Sequence, residues 1–171
     1  AGQFTLFSYF APYYSQVLQA SAGEISALFL CFGAFGLLGN VLLTRWVDRL
    51  GATTCVNLAL ALMALSLALW PLAVSVPAMA LVTLPWALGC FSSNSAQQAR
   101  LSSGAPQYAG ALLALNSSAM YLGQAIGAAS GGLGLAAGGF AALPGAALAW
   151  MAAALLLSLG LAWHMRGGRR V

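Results

Sequence analysis

The side chains of this sequence best suited to chemistry are amides, hydroxyls and aromatics set inside apolar runs at helical spacing. Between Pro77 and Arg100, the residues Trp86, Cys90, Ser93, Asn94 and Gln97 fall on one helical face. Between Gln107 and Ala129, Ser117, Tyr121 and Gln124 do the same, with Asn116 beside them. Near the start, Thr5, Tyr9, Tyr13 and Gln16 repeat the pattern. Amides and hydroxyls both donate and accept hydrogen bonds, and aromatic faces contact apolar groups, so such faces suit the recognition of a small molecule in a cavity. Tyr9, Tyr13, Trp86, Asn94, Asn116, Ser117, Tyr121 and Gln124 are the candidate substrate-path residues. Two plainer readings stand beside that one. Polar groups can tie helices together at about 0.6 kcal/mol per contact, and Tyr13 and Tyr14 can anchor a helix at the membrane surface.

Catalysis finds little to work with. The chain has one histidine and two acidic residues, Glu24 and Asp48. No metal-ligand spacing occurs, and Cys31, Cys55 and Cys90 are dispersed through apolar runs with no CxxC pair. We therefore expect a protein that is not an enzyme and holds no cofactor or metal. A net charge of +4 makes no basic stripe, because the arginines are spread over three short segments, so nucleic acid is not an expected partner. A charge at mid-span costs about 2.5–3.5 kcal/mol and is usually kept for ion or proton coupling. On the spans below, this sequence places none there.

These residues need helices to position them, and the composition says where the helices lie. With 61% hydrophobic and 5% charged residues and a mean hydropathy of +0.89, too little polar surface exists to cover a soluble globule. Continuous apolar runs near the twenty-residue span length indicate membrane helices over a β-barrel. The expected fold is all-α: one domain, residues 1–171, with six transmembrane helices at about 2–19, 22–44, 52–71, 77–99, 107–129 and 144–163. Pro12 should interrupt the first, and Ser21 with Glu24 forms an S-x-x-E capping box for the second. The Gly- and Ala-rich segment from Ser130 to Leu143 reads as a loose outer loop. Six spans put all six arginines on one side, which the positive-inside rule assigns to the cytoplasm together with both chain ends. The chain opens without Met inside an apolar segment and with no basic n-region, which argues against a signal peptide and for a piece of something longer.

Two small-residue ridges mark close helix packing. One is Gly36 with Asn40, and the other is Gly123, Gly127 and Gly131 at intervals of four. The first leads into GNVLLTRWVDRLG (Gly39 to Gly51), a short charged hinge carrying Arg45, Asp48 and Arg49 between two spans.

That stretch, with FTLFSYFAPYYSQV (Phe4 to Val17), FGAFGLLGN (Phe32 to Asn40), and the later QQARL and YLGQAIGAASGG, resembles the second six-helix half of a major facilitator superfamily transporter. It is most similar to the sugar-efflux and drug:proton antiporter group. The family's loop signature runs Gly, three residues, Asp, basic, any, Gly, then two basic residues. Asp48, Arg49 and Gly51 match it, while Thr44 replaces the first Gly and Ala52 and Thr53 the basic pair. The resemblance implies a role for Arg45, Asp48, Arg49 and Gly51 in holding one conformational state, and half of a twelve-helix fold in a bacterial inner membrane. It also implies proton-coupled efflux of a small molecule, with the lipid bilayer, that substrate and the missing N-terminal six-helix half as partners. A proton-carrying residue would then lie in the other half. Two further readings are a non-transporting membrane protein that binds a partner through its glycine ridges, and a homodimeric half-size carrier.

Overall fold

Pro12 decides where the first helix breaks. It has no N–H for the Ser8 carbonyl, and its ring crowds that oxygen. The computed structural model describes the backbone of residues 1–167 and the side chains of residues 1–164. In it α1 covers Gly2–Phe7 and α2 covers Phe10–Gln16, with Ser8 and Tyr9 as the joint. The interruption expected at Pro12 thus lies one turn earlier, where the carbonyl loses its partner.

The helix α3 spans Ala22–Leu50 and starts on a complete capping box. The Glu24 carboxylate accepts from the Ser21 backbone N–H at 2.8 Å and from its hydroxyl at 2.7 Å.

Beyond its start, α3 runs past the expected end at Thr44. Arg45, Asp48 and Arg49 are helical and exposed, not part of a loop, because nothing between Asn40 and Leu50 breaks a helix. Arg49 sits 5.7 Å above the Trp46 ring. Gly51 alone links α3 to α4 (Ala52–Leu69), at a φ of +81° that favours glycine. The hinge is therefore one residue long, and Asp48 caps nothing, since α4 starts on Gly51 without a side-chain cap.

A 3₁₀ turn at Trp70–Leu72 precedes α5, Val76–Gly104, which opens on a Ser75 cap with Pro77 in its first turn. This helix also continues past its expected end, so Arg100 is helical and not in a loop. A second 3₁₀ turn, Pro106–Tyr108, leads into α6, Ala109–Gly138. The expected outer loop from Ser130 to Leu143 is instead the end of α6, a 3₁₀ turn at Gly139–Ala141 and the start of α7, Ala142–Gly167. Gly139, at a φ of +64° that favours glycine, ends α6. Arg169 and Arg170 lie outside the described residues.

Among the described residues, four helical runs are long and apolar enough to cross a membrane: Ala22–Leu50, Ala52–Leu72, Val76–Gly104, and Pro106–His164, which holds α6 and most of α7. The architecture is an all-α membrane bundle. In it α5 packs against both α3 and α4, α1 lies on α6 and α7, and α4 meets α7. Glycines set the closest approaches. A Cβ on Gly39 would strike the Leu88 backbone of α5, and one on Gly36 would come within 2.6 Å of the Phe91 ring. On α6, Gly127 and Gly131 face the backbone of Ala1 and Thr5 in the same way. Asn40 accepts from the Ser95 hydroxyl at 2.7 Å, adding a polar tie between α3 and α5.

One end of the bundle is filled by aromatic rings. Phe10 stacks on Trp70 at 5.3 Å and meets Trp86 edge-on at 5.1 Å, with Phe7, Phe32 and Tyr14 around them. Phe140 closes on Tyr13 at 5.8 Å. Trp70, Trp86 and Phe10 are fully buried there.

Candidate functional site

Pro85 lies inside α5, and beyond it the helix turns polar: Ser92, Ser93, Asn94, Ser95 and Gln97 precede Arg100. Such groups need partners or water when apolar helices surround them. Some find their own carbonyls, as Ser92 does with Leu88 and Ser93 with Cys90, both at 2.8 Å. Others face an open cavity of about 700 Å³ lined by α1, α4, α5, α6 and α7.

Gln3 forms the inner end of that cavity. Its amide donates to the Met63 sulfur at 2.9 Å and accepts from the Cys90 thiol at 3.5 Å, joining α1 to α4 and α5. One turn further along α5, the Asn116 amide of α6 donates to Asn94 at 3.3 Å. Gln97 and Gln124 line the same space. The walls between them are apolar and soft, with Met120, Trp150 and Met151 prominent.

At the far end stands Arg100. Its Nη1 donates to the Ser158 hydroxyl at 3.0 Å, and Ser158 in turn donates to Asn57 at 2.6 Å. One chain of hydrogen bonds so ties α5, α7 and α4. Among the described residues, the Arg100 Nη2 is buried and has no partner. From Trp86 in the aromatic plug to Arg100 is fourteen residues of α5, or about 21 Å of helix. The cavity therefore occupies the half of the bundle away from the aromatic rings.

Among the candidates named from sequence, Asn94, Asn116 and Gln124 come together here. The others lie elsewhere. Tyr9 donates its hydroxyl to Ala128 at 2.8 Å and packs along α6, while Tyr13 and Trp86 belong to the aromatic core. Ser117 bonds back to the Leu113 carbonyl, and Tyr121 points off α6, 66% exposed. Helical phase explains this: positions 117 and 121 lie about 100° from 116 and 120. Arg100, Ser158, Asn57 and Gln3 complete the polar set. Arg100 escaped notice because the turn-rich RLSSGAP reads as a loop, and Gln3 and Ser158 because a lone polar residue in an apolar run carries no periodic signal.

Among the described residues, no group of three histidine, cysteine or acidic side chains could hold a metal. The arrangement offers amide and hydroxyl hydrogen bonds, a cation and a polarizable apolar wall, which suits binding. A family model for the Major Facilitator Superfamily matches residues 1–170, nearly the whole chain. No solved structure matches it.

Proposed function

Because this chain belongs to the Major Facilitator Superfamily, an integral-membrane transporter family, we propose that it forms one six-helix half of a secondary transporter that exports a small molecule against a flow of protons. Transport of some substrate across a membrane follows from the family and the apolar helices. The observation that carries the finer reading is the cavity itself. A volume of about 700 Å³ lined by both amides and methionines is sized for a small solute and has both polar and apolar means of holding it.

In such a transporter, two halves rock about a central site. The one-sided placement fits that motion, with rings filling the bundle at the level of Trp86 and open space from Cys90 to Arg100. Among the described residues no carboxylate lines the cavity. The proton carrier therefore belongs to the companion half in this reading. Arg45, Asp48 and Arg49, exposed on the last turns of α3, are free to meet that half and to hold one state of the cycle.

Thiol labelling tests the assignment. With Cys31, Cys55 and Cys90 replaced, single cysteines at Asn94 and Gln124 should react with a small water-soluble thiol reagent, and transported solute should slow the reaction. Leu143 and Ala147, both fully buried outside the cavity, are the inert references. If Asn94→Cys and Gln124→Cys proved as unreactive as cysteines at those positions in every transport state, the amides would be interhelical ties and the cavity reading would fall.

A further inference from the structure

A charged side chain among membrane helices persists where something answers its charge. Arg100 is the only charged side chain lining the cavity among the described residues. The two carboxylates of the sequence, Glu24 and Asp48, are on α3, exposed, and neither lines the cavity. Among the described residues the Arg100 guanidinium has one hydroxyl partner, Ser158, on Nη1, while Nη2 is buried and unpaired. An unsatisfied donor on a buried charge is costly.

The neighbours of Arg100 are set up to hold it in place. Ser158 is itself fixed by its bond to Asn57, so Nη1 is anchored on a rail between α4 and α7. Gln97, one turn before Arg100 on α5, and Asn94 and Asn116 beyond it bring neutral amides to the same cavity. A planar fork beside amides matches the geometry of an oxyanion, which accepts two parallel N–H bonds and further ones from amide nitrogen.

We propose that the cavity takes a small solute bearing an oxyanion, a carboxylate or a phosphate, and that Arg100 is its counter-charge. This rests on the transport reading and names its substrate class. The anion lies toward Arg100 and Gln97, and the apolar part of the solute lies along Met120, Met151 and Trp150. Because Nη2 is buried, an acceptor reaches it only when the side chains that cover it move aside.

Benzoate and benzamide are the probes, since they share shape and differ in charge. Equilibrium binding to the intact protein in phosphatidylcholine nanodiscs should favour benzoate by roughly tenfold or more, the scale of one hydrogen bond to a charged group. Arg100→Gln should abolish that preference. Arg100→Lys, which keeps the charge but loses the fork, should retain part of it, and its binding data stand in if the glutamine variant does not fold. Equal affinities in the native protein, no saturable benzoate binding, or a preference that survives Arg100→Gln each overturns the proposal. Repeating the titration with phosphatidylglycerol separates a solute from a lipid headgroup. If anionic lipid removes benzoate binding, the oxyanion at Arg100 is a lipid phosphate and the solute assignment is wrong. Water access at Asn94 and Gln124 is read independently by thiol labelling. A cavity that labels but ignores charge sinks only this inference, and one that does not label sinks the transport reading.

Discussion

Gly39→Ala is expected to leave little folded protein. The added methyl would be driven into the Leu88 backbone of α5, where no side chain can swing aside. Relief requires α3 and α5 to separate, which loosens Gly36 from Phe91 and stretches the bond from Ser95 to Asn40. Ordinary overpacking costs about 1–3 kcal/mol and occasionally more. A clash against main chain at the closest crossing belongs at or above the top of that range. Gly33→Ala is the matched control, since a Cβ there meets nothing within 4 Å. Thermal unfolding of the purified variants in detergent, with the monodisperse fraction after extraction, gives the comparison. Similar melting temperatures for the two would mean that α3 and α5 do not cross as closely as described.

Ser158→Ala should be the next most damaging small change. It removes one hydroxyl but orphans two groups, the Arg100 Nη1 and the Asn57 amide oxygen. With Nη2 already unpaired, the guanidinium would lose its one hydrogen bond among the described residues. Hydrogen bonds to charged groups are worth about 1.5–3 kcal/mol, and the loss should approach the upper value because the charge has nowhere to go. Ser118→Ala, which removes an exposed hydroxyl bonded only to the Ala114 carbonyl of its own helix, should change stability by less than about 0.5 kcal/mol. Pairing Ser158→Ala with Asn57→Ala should cost clearly less than the sum of the two, because they share one rail. Additive losses would mean that α4, Ser158 and Arg100 act separately.

Much of the bundle was legible in the sequence because its cause is local. Apolar length gives membrane helices, Ser21 and Glu24 mark a start, and glycines at intervals of four mark a contact face. The ends of helices were less legible. Thr44 to Leu50 and Arg100 to Gly104 are polar enough to read as loops, yet a membrane helix continues past the apolar core when its last turns have interfacial partners such as the Trp46 ring for Arg49. Glycine misled in the same way between Ser130 and Leu143, since in a membrane bundle it serves close packing as often as it breaks a helix.

The site was half legible. Asn94, Asn116 and Gln124 stand out as amides in apolar runs, but which face of α6 turns inward depends on where α1 lies, and that is a tertiary fact. Arg100 shows the limit more sharply. Its position suggests a solvated end, and only the approach of Ser158, fifty-eight residues later, turns the side chain inward.

That separation also has a meaning in time. A ribosome adding about 5–20 residues per second needs roughly 3–12 seconds to pass from Arg100 to Ser158. Through that interval α5 has its packing partners α3 and α4 already made, but its arginine has no hydroxyl to receive it. Until α7 is delivered, the polar half of α5 waits without that partner, its arginine turned toward water or lipid headgroups. Nascent chains arrested before Ser158 should therefore be cut faster by added protease than chains arrested after α7 has emerged.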